Sequence, residues 1–237
     1  MLKKNSVSII GIAVVLLVLA TTAVLSSSLA QTASSDKDEQ ARLEKSKSLL
    51  AAPEGLQINV DTAMKDRVIG NEKAPVTIVE YASLTCPHCA HFEREILPEL
   101  RARLLDTGKA KLIYRDFPLD TPALRAAMMA RCVDAGKYFN LIEVIFSNQE
   151  HWARSKDPLA ALAQLGNLAG MDGDYFKACT NNKELETAIL TNMQAAQTKY
   201  QIRATPTFII NDGAETLNGA LDVDKFEVAV NKLTKGK

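Results

Sequence analysis

The sequence has no excess of charge: 28 lysines and arginines stand against 28 aspartates and glutamates. Nucleic acid and anionic lipid are gathered by a surplus of cations, so partners of that kind are set aside. No segment repeats. Cysteine is scarce, at four residues. Two of them, Cys86 and Cys89, stand close together, but no second closely spaced pair exists to complete a tetrahedral zinc site. His91 sits two positions beyond Cys89, yet neighbouring positions on one helix cannot close a tetrahedron. Alanine, not histidine, follows Cys89, which excludes c-type haem attachment. What is present is ordinary for a globular protein: 47% hydrophobic and 24% charged residues. Setting aside a leader leaves a chain long enough for one domain with a full core, or one domain with an insertion.

The leader is residues 1–30. A short basic head, Met1-Leu2-Lys3-Lys4, precedes an almost wholly apolar run from Val7 to Leu25 and then the small-x-small triplet Ser28-Leu29-Ala30. This is the pattern of a cleaved signal peptide. The run is also long enough to remain as an N-terminal membrane anchor. Either outcome places the rest of the chain outside the cytoplasm, because the Lys3-Lys4 end stays inside. The expected location is periplasmic or otherwise extracytoplasmic, where disulfides persist. Residues 31–60 read as a polar linker. Within it "EQARLEKSKSLL" has Leu43 and Leu50 one heptad apart, a short helix at most; a solvated tether is the preferred reading.

Ordered structure is expected from Arg67-Val68-Ile69-Gly70, a short strand. "PVTIVEYAS" from Pro75 is β-branched or aromatic on both faces, the pattern of a strand covered on both sides. Its one charge, Glu80, is conspicuous. After the cysteines a helix is predicted, with Phe92, Ile96, Leu97, Leu100 and Leu104 on its apolar face and Glu93, Arg94, Glu99, Arg101 and Arg103 off it. "AKLIYRDF" (110–117) is a further strand. A helical stretch runs from about Pro122 to Tyr200, punctuated by the Asp157-Pro158 start signal and by "GMDGD". Thr207–Asn211 and Glu215–Asn218 read as a hairpin about Asp212-Gly213, followed by a last helix. The order is a small mixed sheet flanked by helices and split by a helical insert.

Cys86-Pro87-His88-Cys89 follows a strand and opens a helix. Unpaired N–H groups at a helix N-terminus favour a thiolate and lower the pKa of the first cysteine. Pro87 fits the first turn, where its missing N–H costs nothing. His88 offers a hydrogen bond or positive charge to the same sulfur. Cys89 lies on the side of Phe92 and tilts inward. An exposed, acidic Cys86 and a covered Cys89 are the asymmetry that thiol–disulfide exchange needs. A structural disulfide across so short a loop would restrict the unfolded chain little.

If Cys86 and Cys89 act as a pair, Cys132 and Cys179 are left for each other. A bond between them would close a long loop and staple the helical insert, by about 4 kcal/mol in the chain-entropy model. The alternative is two free buried thiols. Thr205-Pro206, just before a strand, is a natural place for a cis peptide; a cis bond there would set a backbone edge beside Cys86 for strand addition by an extended substrate. A trans turn proline is the plainer alternative.

Taken together, "VTIVEYASLTCPHCAHFE", "TPTFIIN" and the intervening helical stretch with "NQEHW" and "FKAC" resemble the DsbA family of thioredoxin-fold disulfide oxidoreductases, over about residues 60–235. The resemblance implies an α/β thioredoxin fold over 61–235 with a helical insertion at about 121–200. It implies an oxidase that introduces disulfides into unfolded or newly exported cysteine-containing proteins through a Cys86–Cys89 redox pair, with Cys132–Cys179 as a second, structural disulfide. A membrane quinone-linked oxidase would restore the pair; no cofactor and no metal is called for. Glu80 matches an acidic residue beneath the active site that could relay a proton to Cys89; the alternative is an exposed strand charge paired with Lys111 or Arg115. One departure is Thr205, where the best-known oxidase has valine and some isomerases have threonine. The competing readings are therefore a reductase or isomerase on the same scaffold, and a chaperone-like binding module. Residues 31–66 are too few for the N-terminal dimerisation domain of those isomerases.

Overall fold

A computed structural model describes residues 57–234 of the chain. The leader, and the short helix expected within 38–50, lie outside the described residues. Among the described residues, regular structure is present ahead of the expected Arg67 start, in a helical turn α1 (Val60–Ala63). Asn59 caps it, its side chain accepting from Thr62 N–H, and Ala63 is buried. The backbone carbonyl of Lys65 just after α1 accepts from Arg131 Nη1 at 3.0 Å, which ties this segment to the helical insert.

The strands are β1 (Arg67–Gly70), β2 (Val76–Ala82), β3 (Ala110–Asp116), β4 (Thr207–Ile210) and β5 (Glu215–Asn218). They form one sheet in the order β1-β3-β2-β4-β5, with only β2 and β3 parallel. The hairpin joining β4 to β5 is longer than the Asp212-Gly213 turn expected. Asn211 and Asp212 both take positive φ, and the Asn211 carboxamide oxygen accepts from Thr77 N–H on β2. That cross-strand bond holds Asn211 out of the ladder.

Between β2 and β3 the chain winds as α2 (Pro87–His91), a π turn (Phe92–Ile96), α3 (Leu97–Leu100) and a second π turn (Arg101–Leu105). Pro98 lies inside this run, where an ordinary turn would clash with the carbonyl four residues back. The wider turn ahead of it, in which Leu97 N–H bonds to Phe92 O five residues earlier, leaves room. It also explains the four-residue spacing of Phe92, Ile96, Leu100 and Leu104. On a 3.6-residue turn that spacing drifts about 40° per step, and the wide turns hold all four buried on one side. They pack with Val76, Ile78, Phe208 and Phe226 in one core.

Six helices fill the insert: α4 (Thr121–Arg131), α5 (Ala135–Ser147), α6 (Gln149–Ala153), α7 (Pro158–Leu168), α8 (Gly173–Thr180) and α9 (Lys183–Tyr200). Four start on a side-chain cap: Asp120, Asp157, Asp172 and Asn182 each accept from a backbone N–H of the first turn. Cys132, just past α4, is bonded to Cys179 in α8, with Cα atoms 6.2 Å apart. A second core, from Met128 and Trp152 to Ala82 and Cys89, joins the insert to the end of β2. The chain's last described helix is α10 (Val223–Thr234). Among the described residues, no helix is long and apolar enough to cross a membrane.

Candidate active site

β2 delivers the chain to the site. Val76, Ile78, Glu80 and Ala82 share one face of the strand by alternation. Val76 and Ile78 belong to the core beneath α2 and α3, Ala82 to the core shared with the insert, and Glu80 stands between them. Ser83, Leu84 and Thr85 then turn the chain, with Cys86 N–H bonded to Ser83 O, and Cys86 becomes the N-cap of α2. Pro87 takes the first helical position.

Cys86 and Cys89 are both free thiols in this structure. Cys89 is fully covered and Cys86 is 7% exposed. The first sulfur is therefore less open than the sequence led one to expect, because the loop carrying Thr205 closes over it. The Thr205–Pro206 peptide is cis, and Cys86 Sγ lies 3.2 Å from Thr205 O.

The two sulfurs are driven in opposite directions. Cys86 is pulled down to about 5, first by the hydrogen bond it receives from the Cys89 thiol. Burial opposes the shift, while the Thr205 side chain and the backbone N–H groups of Cys89 and His88 add to it. The Thr205 hydroxyl is buried and has no other partner, so it is free to donate to a thiolate. The Thr205 carbonyl works the other way, since it accepts only from the protonated sulfur. Cys89 is pushed far up, by burial, by the bond it gives to Cys86, and by nearby Glu80. His88 contributes through its backbone; its imidazole is exposed.

Glu80 is 1% exposed, and neither carboxyl oxygen has a hydrogen-bond partner. Burial, then the charge of Glu93, raise its pKa well above the ordinary range. The pairing with Lys111 or Arg115 does not occur: Lys111 donates to Glu72 O, and Arg115 pairs with Asp66 at 2.6 Å. In the sheet register Glu80 is flanked by Tyr114 and Phe208. A charge there would have no solvation, so the carboxyl stays protonated.

Sequence reasoning placed Glu93 off the buried face, but it is half-buried. Burial and Glu143 raise it to about 7, against the opposing pull of Arg101. Its signal was the i, i+4 spacing from Cys89, which sets both on one side of the helix. Two other residues were given no role of their own, Gln149 being quoted only within the "NQEHW" stretch. Asp120 caps α4 with one oxygen and accepts from the Thr85 hydroxyl with the other, at 2.8 Å. Gln149, at the start of α6, reaches the carbonyls of Leu84 and Cys86. Nothing in local spacing announces contacts of that range. Among the described residues, no group of three or more His, Cys, Asp or Glu is placed to hold a metal ion.

A family model described as Thioredoxin matches residues 62–232. A Rickettsia conorii protein named as a protein-disulfide oxidoreductase is 35% identical over 168 residues, 70% of this chain and 60% of that protein. The chain thus spans about 60% of the length of such rickettsial relatives. Among solved structures, Wolbachia pipientis α-DsbA1 is 32% identical with a TM-score of 0.65, covering 72% of this chain and 91% of that one. BdbD of Bacillus subtilis, 23% identical with a TM-score of 0.62 over 72% and 93% of the two chains, shares the fold.

Proposed function

Because the chain belongs to the DsbA family of thioredoxin-fold disulfide oxidoreductases, we propose that it is a thiol oxidase of exported proteins, working through Cys86 and Cys89. The observation that carries this reading is the opposed ionisation of the two sulfurs. In the oxidised enzyme a substrate thiolate attacks Cys86 Sγ. The Cys86–Cys89 bond breaks, a mixed disulfide forms, and Cys89 leaves with the electron pair. Cys89 favours the protonated state, and Glu80 beneath it relays the proton, regaining one that comes ultimately from solvent, so that thiol and carboxyl are both protonated in the reduced enzyme. A second substrate thiolate then attacks the substrate sulfur of the mixed disulfide. Cys86 leaves as a thiolate that the helix terminus stabilises. Two electrons pass from substrate to enzyme, and the substrate gains one disulfide.

Direction follows from leaving-group stability. A thiolate stable at neutral pH leaves readily and is a poor reductant once released, so the reduced enzyme is favoured over its disulfide. The Thr205 backbone beside Cys86 suits an extended substrate chain, which would hydrogen-bond there as an added strand. Cys132–Cys179 serves as a structural staple. The enzyme acts outside the cytoplasm, and a membrane quinone-linked oxidase accepts its two electrons.

Equilibrating the Cys86–Cys89 pair with reduced and oxidised glutathione tests this. The reading expects the pair to oxidise glutathione, and membranes to reoxidise the dithiol. A potential near −270 mV, the order found for reducing thioredoxins, would instead favour a reductase. Full cellular activity of Cys86→Ser would favour a holder of unfolded chains.

A further inference from the structure

Gln149 is polar and 6% exposed, on the same short helix as the fully buried Trp152. A buried carboxamide has to place its donors, and this one places both on the catalytic turn. Nε2 lies 2.8 Å from Leu84 O and 2.9 Å from Cys86 O. These carbonyls bracket Thr85 and belong to the segment that sets where the cysteine N-cap sits. Cys86 O also accepts the first helical bond, from Ala90 N at 3.1 Å. The peptide that joins Cys86 to Pro87 is thus held from the helix side and from the insert side at once. Pro87 has no N–H, so the turn has one fewer backbone donor of its own with which to fix this geometry.

We infer that Gln149 is a positioning residue for the disulfide chemistry: it fixes the Leu84–Cys86 turn so that the backbone N–H groups of His88 and Cys89 face the Cys86 sulfur. It never touches that sulfur. Its anchorage explains how it can do this. α6 packs against α7, and Trp152, on the same short helix, is fully buried with its indole N–H bonded to Ile145 O of α5 at 2.9 Å. The carboxamide is therefore presented from a rigid base. In this role the helical insert is a brace for the reactive turn, linked to it a second time through Thr85 and Asp120. The inference rests on the reading of Cys86 as the attacked sulfur.

The test is the pH profile of Cys86 alkylation by iodoacetamide in the reduced full chain, for wild type, Gln149→Met and Gln149→Glu. Methionine keeps the side-chain length and removes both donors. Glutamate keeps the shape and, protonated in this buried setting, retains one donor for the two carbonyls. The expected result is a midpoint raised by about one pH unit in Gln149→Met, and by a smaller but resolvable amount in Gln149→Glu, with the far-ultraviolet spectrum unchanged. A purely structural role would lower the melting temperature and leave the midpoint alone. Folded variants with the wild-type midpoint overturn the inference. Should Gln149→Met fail to fold, the profile of Gln149→Glu decides in the same way. A wild-type midpoint near that of a free cysteine would sink the underlying reading of Cys86 instead, whatever the variants do.

Discussion

The chain holds two cysteine pairs, and their surroundings differ in kind. Cys132 and Cys179 are 47 residues apart and already joined, one past the end of α4 and the other inside α8. Cys179 is fully buried and Cys132 partly so, and neither sulfur titrates while the bond is closed. Cys86 and Cys89 are separate thiols on the first turn of one helix, and every neighbour distinguishes them. N–H groups, the Thr205 hydroxyl and the other thiol favour charge on Cys86; burial and Glu80 disfavour it on Cys89. A disulfide that closes a long loop between packed helices holds a fold. A disulfide becomes a reagent where one sulfur is made a better leaving group than the other.

Breaking the reactive pair has the largest expected effect. Cys86→Ala removes the attacked sulfur, and oxidation of a dithiol peptide falls by at least about 1,000-fold. The paired change Cys132→Ala/Cys179→Ala acts on the other side of the comparison. It lowers unfolding stability by about 2–5 kcal/mol, read by denaturant titration, while peptide oxidation at 25 °C stays within about twofold of wild type. An equal loss of activity in both variants would erase the distinction between the pairs.

Glu80 gives a smaller, pH-dependent effect. Its folded pKa is raised, so the unfolded chain loses this proton at a lower pH than the folded one. The folded state holds its full share of stability below the ordinary carboxylate range, near 4.5, and loses it as pH rises from there toward the folded value. Glu80→Gln removes that loss. Melting temperatures of the two proteins converge near pH 4 and separate by pH 8, the variant being more stable by roughly 1–3 kcal/mol. The same variant slows the release of Cys89 from the disulfide, visible as a lower rate of mixed-disulfide formation.

Much of the fold was legible because its signals are local. β-branched residues marked β2, Asp157-Pro158 marked the start of α7, and the Cys-Pro-His-Cys turn marked the N-terminus of α2 with Cys86 as its cap. The buried state of Glu80 could be read as one of two options, since a lone carboxylate on a doubly covered strand has to be neutral or paired. What was not legible depends on distant partners. Gln149 meets Leu84 across 65 residues, whereas the Thr205 backbone beside Cys86 was anticipated as what a cis Thr205-Pro206 bond would bring there. The exposure of Cys86 was misjudged all the same, because how closely the Thr205 loop covers the sulfur depends on how the two halves of the chain pack. The π turns escaped because Pro98 marks where a helix is disturbed but not how it accommodates.

The central claim is most directly tested by ultraviolet titration of the thiolate at 240 nm, reduced wild type against reduced Cys86→Ala. The account predicts a single step absent from the variant, with its midpoint near 5. A step near 8.5, the value of an unperturbed cysteine, would contradict it.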